Sequence, residues 1–196
     1  MILHNWRVTP YETALKQMDE VHLRAVKEKK NHLILCQHPE VFTLGQDAGD
    51  KTFEVEALKT DRGGSITCDS PSQNIYYFCF QSSHPARFFS KVVSVFESFF
   101  ECFLPSVAYD TKYPGFYIQS HKLSSLELGY REGVSLHGVA LNVDVDLAFH
   151  NLVNPCGLEE VRASSLEAEG LKISCEAVDE EVIKNILRVF DESLQT

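Results

Sequence analysis

The stretch from Lys122 to Gly157 reads KLSSLELGYREGVSLHGVALNVDVDLAFHNLVNPCG. Two alternating runs, Lys122 to Tyr130 and Val134 to Val143, flank Glu132-Gly133, and that turn signal predicts a hairpin of adjacent strands. A lysine opens the hairpin, and a cysteine between proline and glycine, Pro155-Cys156-Gly157, follows it. Brought together across neighbouring strands, the two would form a nucleophile with its own base. The amine takes the thiol proton, and the ammonium then holds the thiolate.

Each residue also has a plainer reading. A lone lysine at a strand start is usually a surface group, and a free cysteine is usually an inert, buried thiol. The local sequence argues the other way. Proline and glycine around Cys156 point to an open loop whose N–H groups can stabilise an oxyanion. Leu123 and Leu126 favour burial of Lys122, and a buried amine is the better base. His137 offers a Cys-His hydrolase alternative, or a turn histidine whose ring bonds locally.

Upstream, Arg62-Gly63-Gly64-Ser65-Ile66-Thr67 places adjacent glycines beside an arginine. Such glycines permit positive φ or close approach of the backbone to a ligand. The arginine offers a forked donor to an acyl carbonyl, a carboxylate or a backbone carbonyl. Alone, the motif reads equally as a turn with a surface arginine.

Further out, Thr9-Pro10 predicts an N-cap and first helical residue, with a helix to about Lys30 burying Tyr11, Ala14, Leu15, Met18, Val21 (or His22) and Ala25. His32–Cys36 reads as an apolar strand, Gln46 to Thr60 as a long loop, and Gln73 to Phe80 as a buried strand. Pro85 launches a phenylalanine-rich helix to about Phe103, and Leu147 to Leu152 reads as a short helix. Asp179 is expected to cap a last helix facing the core through Val182, Ile183, Ile186, Leu187 and Phe190. The expected architecture is a single α/β (α+β) domain spanning 1–196, a mixed, mainly antiparallel sheet with helices on one side.

The formal net charge of −10 argues against a nucleic-acid binder. Two basic patches are conceivable: Lys27, Lys29 and Lys30 at a helix end, and Arg62, Lys112 and Arg131. No apolar run is long enough to span a bilayer, and the first residues lack a signal-peptide pattern. A cytoplasmic setting is therefore expected, with the six cysteines as free thiols and Cys36, Cys68, Cys79, Cys102 and Cys175 in core packing. Cys36-x-His38 and Asp144-x-Asp146 are weak metal patterns, and no metal site is expected.

The spacing of Lys122, Ser124-Ser125-Leu126, His137-Gly138-x-Ala140-Leu141-Asn142-Val143 and Asn154-Pro155-Cys156-Gly157 resembles that of the lipoyl(octanoyl) transferases, whose fold is shared with biotin and lipoate protein ligases. The resemblance extends from Tyr11 to Leu166 and includes His38-Pro39…Thr43-Leu44-Gly45. It implies that Cys156 takes an octanoyl or lipoyl group from the phosphopantetheine of an acyl carrier protein. The acceptor would be a lysine of a lipoyl domain, from a 2-oxoacid dehydrogenase complex or the glycine cleavage H protein. Lys122 would serve as base, with no ATP or metal as cofactor. It also implies that Arg62, Gly63, Gly64, Ser65, Ile66, Thr67, Cys68 and Asp69 contact the ligand, as do Ser125, Leu126 and Glu127, and that His137, Gly138, Val139 and Ala140 line the acyl pocket. A monomer, with neither nucleic acid nor membrane as partner, is expected.

Two departures bear on the pocket. The family pattern Thr-Tyr-His-Gly-Pro-Gly-Gln is replaced by Thr67-Cys68-Asp69-Ser70-Pro71-Ser72-Gln73, and a small-apolar-glycine triplet by Ser125-Leu126-Glu127. Glu127 in a dry pocket is costly unless paired or protonated; it either faces out or pairs with Arg62 or Arg131. The departures keep two alternatives open, acyl transfer between carrier proteins through the same cysteine and a non-catalytic relative that binds an acyl carrier or lipoyl domain.

Overall fold

The computed structural model describes residues 1–49, 54–154 and 160–195. Its elements run β1 (Ile2–Val8), α1 (Tyr11–Glu28), β2 (His32–Gln37), β3 (Val41–Leu44), β4 (Ala57–Lys59), β5 (Ile66–Asp69), β6 (Gln73–Cys79), α2 (Pro85–Phe103), β7 (Ala108–Asp110), β8 (Gly115–Ile118), β9 (His121–Arg131), β10 (Val134–Asn142), α3 (Leu147–His150), β11 (Arg162–Ala163) and α4 (Cys175–Phe190). Among the described residues the large sheet has the order β1-β2-β6-β10-β9-β8-β7, with β11 beside β9, and a small sheet has the order β4-β3-β5. In the large sheet β1 pairs with β2, and β11 with β9, in parallel; its other pairings are antiparallel. This is the expected mixed sheet, and the hairpin of β9 and β10 is at its centre.

The helices flank both faces of the large sheet, not one. Alternation along each strand feeds two cores. Leu33, Leu35, Tyr76, Phe78, Val139 and Leu141 meet α2 and α4. Ile34, Ile75, Tyr77 and Leu136 meet Ala14, Met18, Val21 and Ala25 of α1. The phenylalanines of α2 supply the bulk of the first core: Phe96 packs edge-on against Tyr76 at 5.5 Å, and Phe100 lies 4.9 Å from Phe116. Burying each such ring contributes about 2–3 kcal/mol.

Two predicted caps differ. Thr9 does not cap α1; its hydroxyl donates to Trp6 O at 2.8 Å, and Pro10 is the residue before the helix. The last helix starts one turn earlier than expected, because the Ser174 side chain accepts from Ala177 N. Asp179 lies inside that helix and accepts from the Tyr76 hydroxyl and Asn74 Nδ2, both at 2.8 Å. Of the described cysteines, Cys36, Cys68 and Cys79 are buried as expected, but Cys102 is exposed and Cys175 half-buried. The Arg62, Lys112 and Arg131 patch does not form, since Arg62 is buried and Arg131 pairs with Asp19 at 2.8 Å. None of the described helices is long and apolar enough to cross a membrane.

Candidate active site

Arg62 ties the small sheet to the large one. Its Nε donates to Thr43 Oγ1 at 3.1 Å, and its Nη2 to Thr43 O at 2.6 Å and Ser65 O at 3.0 Å. Its Nη1 donates to Gly63 O and to Glu127 Oε2, both at 2.8 Å. Of the roles the sequence allowed, the guanidinium takes two, a carboxylate and backbone carbonyls. Glu127, on β9, thus has its partner. Burial raises its carboxyl above the usual range, opposed by the positive charges of Arg62 and Lys122. Gly64 has φ of +74°, and a Cβ there would sit 2.7 Å from Glu127 Oε1, so the pair closes over a position only glycine fits.

The β9–β10 register sets Glu127 opposite Gly138 and Ser125 opposite Ala140. His137 breaks the alternation, with φ of +58°. Its ring therefore lies on the α1 side with Leu136, and Nε2 is 3.5 Å from Asp61 Oδ1. Burial lowers the His137 pKa, opposed by Asp61. At Gly138 a Cβ would fall 1.7 Å from Tyr76 O, so the close approach this glycine permits is that of β6.

These side chains enclose a cavity with about 460 Å³ of empty space including its mouth. Arg62, Thr67, Cys68, Asp69, Ser125 and Glu127 line it, as do His137, Gly138, Val139 and Ala140. Three of the other expected contacts lie elsewhere: Gly63 and Ser65 serve Arg62 through their carbonyls, and Leu126 is turned into the α2 core. Ile66 packs in a small core with Phe42 and Val153 and lines a second cavity beside the first. Tyr11, Gln73, Ile75 and Tyr77 line the cavity without having been singled out in the sequence. Gln73 is the one with a signal, as the final residue of the Thr67–Gln73 motif. Burial pushes the Cys68 thiol pKa up, which makes it a poor nucleophile.

A second cavity, about 420 Å³ including open space, shares Thr67, Cys68, Gln73 and Ser125 with the first. Lys122 lines it and is only 4% exposed. Its neighbours in register are Tyr117 of β8 and Ala163 of β11, and its Nζ lies 5.5 Å from the Tyr117 ring centre. Cys156 lies outside the described residues. The chain on either side of its segment is pinned: Arg162 Nη1 donates to Asn154 Oδ1 at 2.8 Å, and Ala163 N to Asn151 Oδ1 at 2.9 Å. Asn142 anchors the strand that follows, with Nδ2 donating to Ser164 O at 2.8 Å while Oδ1 accepts from Gln73. Ser70, from the altered motif, bonds His150 of α3 at 2.8 Å, and burial lowers the His150 pKa to about 4.

A mixed sheet between helical layers, with a small sheet closing a cavity over its central hairpin, defines the lipoate-ligase type of α/β domain. The crystal structure of lipoate-protein ligase A bound with ATP superposes with a TM-score of 0.76 at 14% identity, covering 100% of this chain and 89% of that one. A structure of an archaeal lipoylation system, a bi-partite lipoate protein ligase and its E2 lipoyl domain from Thermoplasma acidophilum, gives 0.71 at 14% identity over 100% and 87%. Residues 10–187 match the lipoyl protein ligase A/B catalytic domain. An octanoyltransferase from Pseudomonas entomophila is 31% identical over 195 residues, 95% of this chain and 91% of the relative. The chain belongs to the lipoyl protein ligase A/B catalytic-domain family, among its octanoyltransferases.

Proposed function

We propose that this chain is an octanoyl-acyl carrier protein:protein N-octanoyltransferase acting in protein lipoylation, through a thioester on Cys156 with Lys122 as its base. The observation that carries this reading is the position of Lys122. A buried amine lines the second cavity, which shares four of its walls with the first; it is in register with Ala163, and Ala163 is bonded to Asn151 at the root of the segment that holds Cys156.

In the first half-reaction the Cys156 thiol loses its proton to Lys122, and the thiolate attacks the acyl thioester. The carrier's pantetheine thiolate leaves and takes up a proton. In the second, the acceptor lysine attacks the acyl-enzyme, its proton passes to Lys122, and the Cys156 thiolate is released as the amide forms. Thioester exchange is nearly isoenergetic and amide formation is downhill, so no ATP is required. The partners on this reading are acyl carrier protein as donor and a lipoyl domain as acceptor. The positioning frame is Arg62, Glu127 and His137, with Thr67, Cys68, Ser125 and Ala140 along the acyl path.

Intact-protein mass spectrometry after mixing with octanoyl-acyl carrier protein tests this. A hydroxylamine-sensitive octanoyl adduct is expected, absent in Cys156→Ser, slowed at least about a hundredfold in Lys122→Ala, and discharged by a lipoyl domain. A carrier that binds without acylating the protein would overturn transfer and leave a binding module. Release of free acid without an acceptor would indicate a hydrolase.

A further inference from the structure

The sheet register gives the first cavity a direction. Gln73 and Ser125, which it shares with the cavity of Lys122, lie at one end, and Tyr77, Glu127 and His137 lie at the other. At the near end β10 sets Ala140 beside Ser125 and Ile75; further on it sets Gly138 beside Glu127 and Tyr77, then His137 beside Leu128. From Ala140 to His137 is three residues, about 10 Å of strand. An extended eight-carbon acyl chain, a zigzag of bonds of about 1.5 Å, spans about 9 Å. An octanoyl group that enters past Ser125 therefore ends against His137.

Behind that ring is another space. A groove of about 870 Å³, open solvent included, is lined by Leu15, Met18, Lys59, Asp61 and Leu136, and among the described residues His137 is the one it has in common with the first cavity. The two spaces stand back to back: Tyr11 faces the cavity and Leu15, one helical turn on, the groove, while Arg62 faces the cavity and Asp61 the groove. The left-handed backbone of His137 is what puts a ring between them. In extended conformation alternation would turn it to the α2 side with Val139, and Gly138 has no side chain to replace it.

We propose that His137 is the specificity-determining residue for acyl length, an end wall that fits octanoyl and shuts off an apolar groove able to take longer chains. A longer chain must push the ring aside or coil within the cavity, and such overpacking is costly.

This inference rests on the transferase reading, and one series of measurements separates the two. Pantetheine thioesters of octanoate, decanoate and dodecanoate would be compared by kcat/KM for acylation of the protein. Octanoyl is expected to exceed dodecanoyl by about tenfold or more. His137→Gly keeps the positive φ without the ring, and it should raise the dodecanoyl-to-octanoyl ratio by about tenfold or more. His137→Asn, which tolerates the same backbone, should raise it less and guards against misfolding of the glycine variant. Leu15→Glu added to His137→Gly places a carboxylate on the groove wall and should cancel the gain. Equal use of dodecanoyl by the parent, a ratio unmoved by both His137 variants, or a gain that survives Leu15→Glu overturns the inference and leaves the transferase reading standing. Acylation by none of the thioesters overturns both.

Discussion

Arg62 commits its whole guanidinium to the protein, and the consequences follow from Glu127. Removing the arginine leaves a largely buried carboxylate without its cation and cuts Thr43 from the Arg62–Ser65 turn. Arg62→Ala is expected to cost about 3–5 kcal/mol in urea denaturation. Arg62→Lys should recover less than half, because an ammonium cannot reach Thr43, Ser65 and Glu127 together. The arginine and its glycines were legible as a motif, and the charge of Glu127 already asked for Arg62 or Arg131 as a partner. Thr43, 19 positions before Arg62, was not legible, because no local pattern expresses that pairing.

At the scale of elements, β10 carries an irregularity that its sequence conceals. Alternation from Val134 to Asn142 reads as a plain strand, yet His137 adopts a left-handed backbone that brings it to the same side as Leu136. Asparagine tolerates that conformation and a β-branched residue does not. His137→Val is therefore expected to be about 2 kcal/mol less stable than His137→Asn, measured by chemical denaturation of both. Equal stabilities would show that the ring's contact with Asp61, not the backbone, sets the residue there. Strand and helix existence followed from periodicity and from Pro85. The start of α4 did not, because Ser174 and Asp179 are both good capping residues and local sequence cannot choose between them. What decides is tertiary: Asp179 is needed one turn inside, under Tyr76 and Asn74.

For the whole molecule, pH acts through two opposed sets of buried groups. Burial raises Asp179 to about 6 from an ordinary 3.8, so its charge weakens the fold above pH 6, and the cost is relieved as pH falls from 6 towards 4. His32 and His150 are held down to about 4 from 6.5, so the unfolded chain takes protons that the fold refuses, and stability falls as pH drops from 6.5 to 4. Asp179→Asn removes the first effect alone. Its melting temperature should exceed the parent's by about 4–8 °C at pH 8, with the gap closing by pH 4.5. A gap that stays constant with pH would place the effect outside Asp179 titration. The sheet's class was legible from the alternating runs, but its helical cover was not. Helices on both faces require the parallel β1–β2 pair, joined through α1. That pairing is a long-range crossover, and β1 is an edge strand whose alternation is weak.

Thr67, Cys68 and Asp69 reach the first cavity from the small sheet, while Ser125 and Ala140 reach it from the large one. Whatever fills that space is therefore mortar between two courses of one wall. Ligand present at a hundred times its dissociation constant adds about 2.7 kcal/mol to the stability of the native state. A melting curve would then report occupancy of the cavity directly, with no turnover needed.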